Sequence, residues 1–185
     1  YETTELGFSL GTEFEQYENL FFSPEISVAF EDLKTNSTAS SSLKKQEGNY
    51  EDFYFNYGID YDLRNSRFEP TAGQKISFYQ DLPVVSSNKE ISNTFLISHY
   101  KKLNRNADVI GKASLYLKTI TSLDNSDVRI SKRGHVPYNR LRGFEKNKTG
   151  PVDNLDYVGV KKISEIKFGG GWFNIFSSNL LKFID

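Results

Sequence analysis

The chain has 185 residues, a net charge of −1 and a pI near 6.2, which bounds it to one compact domain or a piece of something larger and argues against a dedicated nucleic-acid binder. Cysteine is absent and only His99 and His135 are present, so disulfides, thiol nucleophiles and Cys-ligated zinc are excluded, and no metal site or cofactor is expected. No run approaches the ~18 apolar residues of a membrane helix, which says nothing against a membrane β-barrel. The chain starts at Tyr1 and not at Met, so a processed product or an excised fragment is expected.

Period-2 alternation predicts the elements in turn. From Glu5 to Tyr17, Leu6, Phe8, Leu10 and Phe14 fall on one parity, opposite Gly7, Ser9, Gly11, Glu13 and Glu15. Ile26, Val28 and Phe30 repeat the pattern opposite Glu25, Ser27 and Glu31. Phe53, Phe55, Tyr57, Ile59 and Tyr61 do so opposite Asn56, Gly58, Asp60 and Asp62. Shorter runs follow at Ile76–Leu82, Phe95–Ile97, Ala113–Leu117 and Ile166–Trp172; the run Ile91–Tyr100 is ambiguous, because Leu96 and Tyr100 sit on the other parity. With 15 Phe and 11 Tyr against few strong helix formers, the class is all-β.

Connections alternate in length. Asn19–Pro24, Leu63–Ala72 and Lys101–Ala107 are short, Lys34–Asn49 is long, and Thr121–Asp156 is the longest. Val84–Glu90 is short although its parity places it with the long ones. Two architectures fit. In a soluble β-sandwich, an adhesin or lectin for example, the apolar parity packs on a second sheet. In a membrane barrel it faces lipid, and the polar parity lines a wet lumen. The first and third runs suit the ~9–11 residues of a tilted membrane strand better than the ~5–6 of a globular one.

Chemistry-bearing motifs are weak. Ser41-Ser42-Leu43-Lys44 matches the S-x-x-K pattern of Ser–Lys acyl enzymes, but it lies in a Ser/Lys-rich loop without companion motifs. Glu13 with Glu15, and Asp60 with Asp62, place paired carboxylates on one strand face, as glycoside hydrolysis could use, but nothing fixes their separation from a partner strand and a solvated polar face is the favoured reading. Enzyme activity is not expected.

Two segments say more. Asp62, Arg64, Pro70, Thr71 and Gly73 form a D-x-R-x-x-x-x-x-P-T-x-G pattern at the end of a long strand. About 70 residues on, Arg142, Gly143 and Phe144 give an R-G-F tripeptide inside the longest loop, before Gly150-Pro151 and Tyr157-Val158-Gly159. In this order the pair resembles the BamA-like outer-membrane assembly factors, over roughly residues 5–159. Residues 160–185 do not align, and Val160 stands where the family usually has a second glycine.

The resemblance implies an antiparallel up-and-down transmembrane β-barrel segment, about seven or eight strands of a sixteen-stranded barrel. Residues 1–185 are then one partial barrel domain in the bacterial outer membrane, with an inward-folded loop at about 121–156. It places the Asp62–Gly73 turn on the periplasmic side and the R-G-F loop on the outside. The function implied is insertion and folding of β-barrel proteins, with unfolded outer-membrane proteins, assembly-machinery lipoproteins and outer-membrane lipid as partners. A two-partner secretion translocator, which shares the inward loop, is the alternative within that resemblance. Arg142 is expected to anchor the loop on a lumen carboxylate, with Glu13, Asp60 and Asp62 as upstream candidates.

Overall fold

A computed structural model of the chain describes residues 1–104, 109–124, 126–135, 145, 148, 150–154, 156–170 and 182–183. Its strands are β1 (Glu2–Gly11), β2 (Phe14–Tyr17), β3 (Leu20–Lys34), β4 (Gly48–Asp62), β5 (Gly73–Ser86), β6 (Glu90–Lys102) and β7 (Ile110–Ser122), followed by β8 (Val152–Asp153), β9 (Asp156–Tyr157), β10 (Lys162–Gly170) and β11 (Lys182–Phe183). One helical turn, α1 (Ser41–Lys44), and one 3-10 turn (Ile130–Lys132) interrupt the loops. The main sheet runs β1-β3-β4-β5-β6-β7-β10-β11, each neighbour antiparallel, and β2 continues β1 along β3. β8 and β9 form a separate hairpin within the last long connection. The order is an up-and-down meander, and among the described residues its margins β1 and β11 do not meet.

Strand length carries the first physical argument. β3 and β4 have 15 residues each, and β6 and β7 have 13. At ~3.3 Å per residue and a tilt of ~40°, fifteen residues rise roughly 38 Å, more than the ~25 Å apolar band of an outer-membrane barrel. The strand ends therefore stand clear of the apolar band.

Register carries the second. Leu10, Ile26, Phe55 and Leu82 oppose one another across four strands, as do Ile59, Phe78, Phe95 and Leu117. Directly opposed residues share a face, so the apolar parities merge into one continuous surface. The reverse face joins Asp60, Ser77, Leu96, Tyr116 and Glu165. Leu6, Phe8 and Leu10 are 70–74% exposed, and no second sheet covers this surface among the described residues. The sandwich expectation fails for that reason, since a sandwich exists to bury such a face. β6 proves regular: Phe95 and Ile97 lie on the apolar side, while Leu96 and Tyr100 turn inward.

Two prolines refine the expected boundaries. The connection expected at Asn19–Pro24 shrinks to Glu18 and Asn19, the latter at φ 63°, and Pro24 lies inside β3 opposite Tyr57. Its carbonyl accepts from Thr12 N at 3.1 Å, so its missing N–H points at the break between β1 and β2, where no ladder bond is lost. Pro83 sits at a bulge: Tyr54 opposes Pro83, Phe53 opposes Val85, and Val84 is the extra residue. β5 accordingly runs to Ser86, leaving only 87–89 as its connection to β6.

Candidate functional site

The last long connection, 123–161, does not stay outside. Asp124 starts it by accepting bonds from the Ser122 and Ser126 hydroxyls at 2.6 and 2.5 Å and from the Lys89 amide at 3.3 Å, which ties it to the β5–β6 turn. Those donors hold the Asp124 carboxyl well below the usual carboxylate range. The chain then turns inward, and the Arg129 side chain is completely shielded from solvent.

Three strands supply its surroundings. Arg129 Nη2 lies 2.5 Å from Asp52 Oδ2 on β4, and Nη1 lies 3.1 Å from Glu31 Oε2 on β3. The first residue of β6, Glu90, accepts from the Arg129 backbone N–H at 2.5 Å and sets its other oxygen 3.9 Å from Nη2. Tyr50 closes the site, its ring centroid 4.1 Å from the guanidinium carbon. The other Asp52 oxygen accepts from the Ser86 hydroxyl at 2.6 Å. Alternation explains why acids gather here: Glu31 is directly opposite Tyr50, and Asp52 directly opposite Ser86, all on the inward face. Three buried carboxylates would repel one another severely, and Arg129 with Lys132, 3.8 Å from Asp52, offsets most of that charge.

Apolar contacts reinforce the charges. Ile130 is fully buried in a cluster with Leu33, Ala39, Leu43 and Val158, and its N–H donates to Gln46 Oε1 at 2.8 Å. Leu43 reaches the cluster because Ser40 caps α1, accepting from Leu43 N at 3.3 Å while donating to Asp153 at 2.6 Å. The β3–β4 loop, the β8–β9 hairpin and the 126–135 segment thus close over one end of the inward face. Farther along that face a cavity of about 400 Å³ remains between Asn56, Asp81, Lys118 and Lys132. Within the S-x-x-K pattern the expected loop is in fact the helical turn α1. Ser41 and Lys44 are both exposed, however, and Lys44 donates to the Ser37 carbonyl, so the buried Ser–Lys face is missing.

The turn at the opposite end gathers all five residues singled out there. Arg64 grips Asp62 through two parallel bonds, Nε to Oδ1 at 2.8 Å and Nη2 to Oδ2 at 2.6 Å. Asn65 organises the return: its Oδ1 accepts from the Thr71 and Ala72 amides at 3.0 Å each, and its Nδ2 donates to Thr71 Oγ1 at 2.7 Å. Pro70 precedes this knot without a donor to place. Gly73, at φ +96°, starts β5 so close to Leu63 that a Cβ would lie 2.1 Å from the Leu63 carbonyl oxygen. Asn65 carries as much of this turn as the motif residues do, and the motif reading missed it.

Arg142, Gly143 and Phe144 lie outside the described residues. The acids considered as their partners have described partners of their own: Glu13 accepts from the Ser23 hydroxyl, Asp60 from Tyr79 with Lys75 3.3 Å away, and Asp62 from the Arg64 guanidinium. The acids that receive the described part of the loop are Glu31, Asp52 and Glu90, which surround Arg129, with Lys132 also beside Asp52. Glu31 showed the right parity in the sequence, but no local signal paired it with residues 21, 59 and 98 positions away.

The Omp85 superfamily domain matches residues 1–181, which extends the resemblance through β10. Among solved structures, the crystal structure of BamA from Haemophilus ducreyi lacking POTRA domains 1-3 superposes with a TM-score of 0.78 at 18% identity. That match covers 95% of this chain and 38% of the other, so the chain spans well under half of its solved relative. No curated protein matches significantly.

Proposed function

Since the chain belongs to the Omp85 superfamily and forms wall strands of an outer-membrane β-barrel, we propose that it is part of an assembly factor that inserts and folds β-barrel proteins in the bacterial outer membrane. Insertion or translocation of proteins at that membrane is the coarser function its family membership supports. The observation that supports this reading over an open channel is the inward-docked loop, held by the Arg129 cluster over one end of the inward face, a feature that a two-partner secretion translocator would share. A passage plugged in this way suits a wall that templates insertion from its edge better than an open channel. In this reading the role is non-enzymatic, the substrates are unfolded outer-membrane proteins, and the partners are assembly lipoproteins and lipid.

The test is depletion of the full-length protein in its own cell. Loss of folded barrel proteins from the outer membrane as a class is the expected result. Loss of a single secreted passenger, with other barrels unaffected, would instead identify a two-partner secretion translocator.

A further inference from the structure

The lipid-facing side of the wall is not uniformly apolar. Tyr57, Gln80, Asn93, Thr119 and Lys162 are successive cross-strand partners on β4, β5, β6, β7 and β10. They share a face with Phe55, Phe78, Phe95 and Leu117. The row is partly a chain of bonds: the Tyr57 hydroxyl donates to Gln80 Oε1 at 2.8 Å, and Gln80 Nε2 donates to Asn93 Oδ1. Amides facing hydrocarbon carry a penalty unless paired, and these two are paired along the row.

What remains unpaired is rich in donors. In this arrangement Asn93 keeps both Nδ2 hydrogens, Gln80 keeps one, Thr119 keeps its hydroxyl, and the exposed Lys162 has no described ion pair. All of these donate, and one is a cation. A cation would find little to bind here and a neutral carbonyl or hydroxyl oxygen would forgo the charge of Lys162, whereas an anionic oxygen finds that charge and several donors at once.

Height in the bilayer narrows the ligand. Strands ~4.8 Å apart and tilted by ~40° climb about 3 Å per step, so the row rises roughly 12 Å from Tyr57 to Lys162. Lys162 opens β10, while Asn93 and Thr119 each lie three residues from the long-loop ends of β6 and β7. Tyr57 lies past the middle of β4, on the side of its short-loop end. The cationic end of the row is therefore at the outer-leaflet headgroup level, and its amide end descends toward the bilayer interior.

We infer that this row is a headgroup site, in which Lys162, Thr119 and Asn93 bind the phosphate of an outer-leaflet lipid and draw it down the wall toward Gln80. The site is independent of which proteins the full chain handles.

The experiment uses full-length protein in phosphatidylcholine nanodiscs titrated with phosphatidylglycerol, with retained lipid counted by native mass spectrometry. Substituting Asn93→Leu and Lys162→Leu together is expected to weaken phosphatidylglycerol retention about tenfold. Lys101→Leu, which removes a lysine from the same face at the other end of β6, should change nothing. Should the double variant fail to fold, Lys162→Gln alone is expected to give about a fivefold loss. Unchanged retention, an equal loss in Lys101→Leu, or displacement by millimolar inorganic phosphate would each overturn the assignment to a lipid headgroup.

Discussion

Arg129 Nη2 and Asp52 Oδ2 lie 2.5 Å apart, and solvent reaches neither side chain. The two residues are 77 positions apart in sequence, one in a loop and one in the wall. A guanidinium buried beside three carboxylates is a strong tether only as a set, because each charge relies on the others for its compensation.

Replacing Arg129 by Ala should therefore cost more than one contact. Glu31, Asp52 and Glu90 would be left buried without their main counter-charge, at roughly 3–5 kcal/mol. The expected outcome is release of residues 126–135, read as faster proteolysis of the loop in folded full-length protein. Adding Asp52→Asn should recover part of the loss, since it removes one of the stranded charges. A loop equally protected in the wild type and in Arg129→Ala would refute the tether.

Sidedness gives a second expectation. Phe55 lies on the apolar face, while the Asn56 amide donates to Glu25 Oε1 at 3.1 Å and to Ser27 Oγ at 2.9 Å on the inward face. Arg at position 55 should cost ~2–4 kcal/mol near the bilayer midplane, and Arg at 56 much less. Urea titration of folding into lipid vesicles measures both.

In the Asp62–Gly73 turn the backbone decides. Gly73→Ala places a methyl group on the Leu63 carbonyl at a φ of +96°, so it should destabilise the β4–β5 hairpin by about 2 kcal/mol or more. Asn65→Ala should cost about 1–3 kcal/mol by stranding the Thr71 and Ala72 amides. Pro70→Ala should cost well under 1 kcal/mol, because no hydrogen bond depends on it. Unfolding of the three variants under identical lipid conditions gives the ranking.

A pH response is also expected. Burial pushes His135 below the usual histidine value, and neither ring nitrogen has a described hydrogen-bond partner. A folded pKa below the unfolded ~6.5 means that the folded state disfavours the proton. Its contribution to stability is therefore complete above ~6.5 and is lost as the pH falls through the folded value. Loop proteolysis should rise as the pH falls below about 6.5, and His135→Asn should flatten that rise. An identical pH profile in the variant would show that other groups govern it.

Strand identity was legible because alternation is local. Phe53, Phe55, Tyr57 and Ile59 announce a face from four neighbouring positions, and the register later confirmed which residues share it. Boundaries at prolines were less legible, because a proline signals a break only where its missing donor faces a partner, and Pro24 faces a gap between strands. The turn at Asp62–Gly73 was marked by Pro70 and Gly73, yet Asn65, whose amide binds both sides of it, carried no distinguishing pattern.

By itself, then, the sequence determined the period and the face of every long strand but β6, and the end at which the longest loops emerge, because each depends on residues within one turn or one strand of each other. It also carried the paired motifs that marked the family. Only the tertiary structure showed that Arg129 turns onto the inward face and which acids receive it. Glu31, Asp52 and Glu90 come from three strands, and their convergence depends on cross-strand register and the path of a long loop. Those quantities are set by pairing energies summed over the sheet, so no short stretch of sequence contains them.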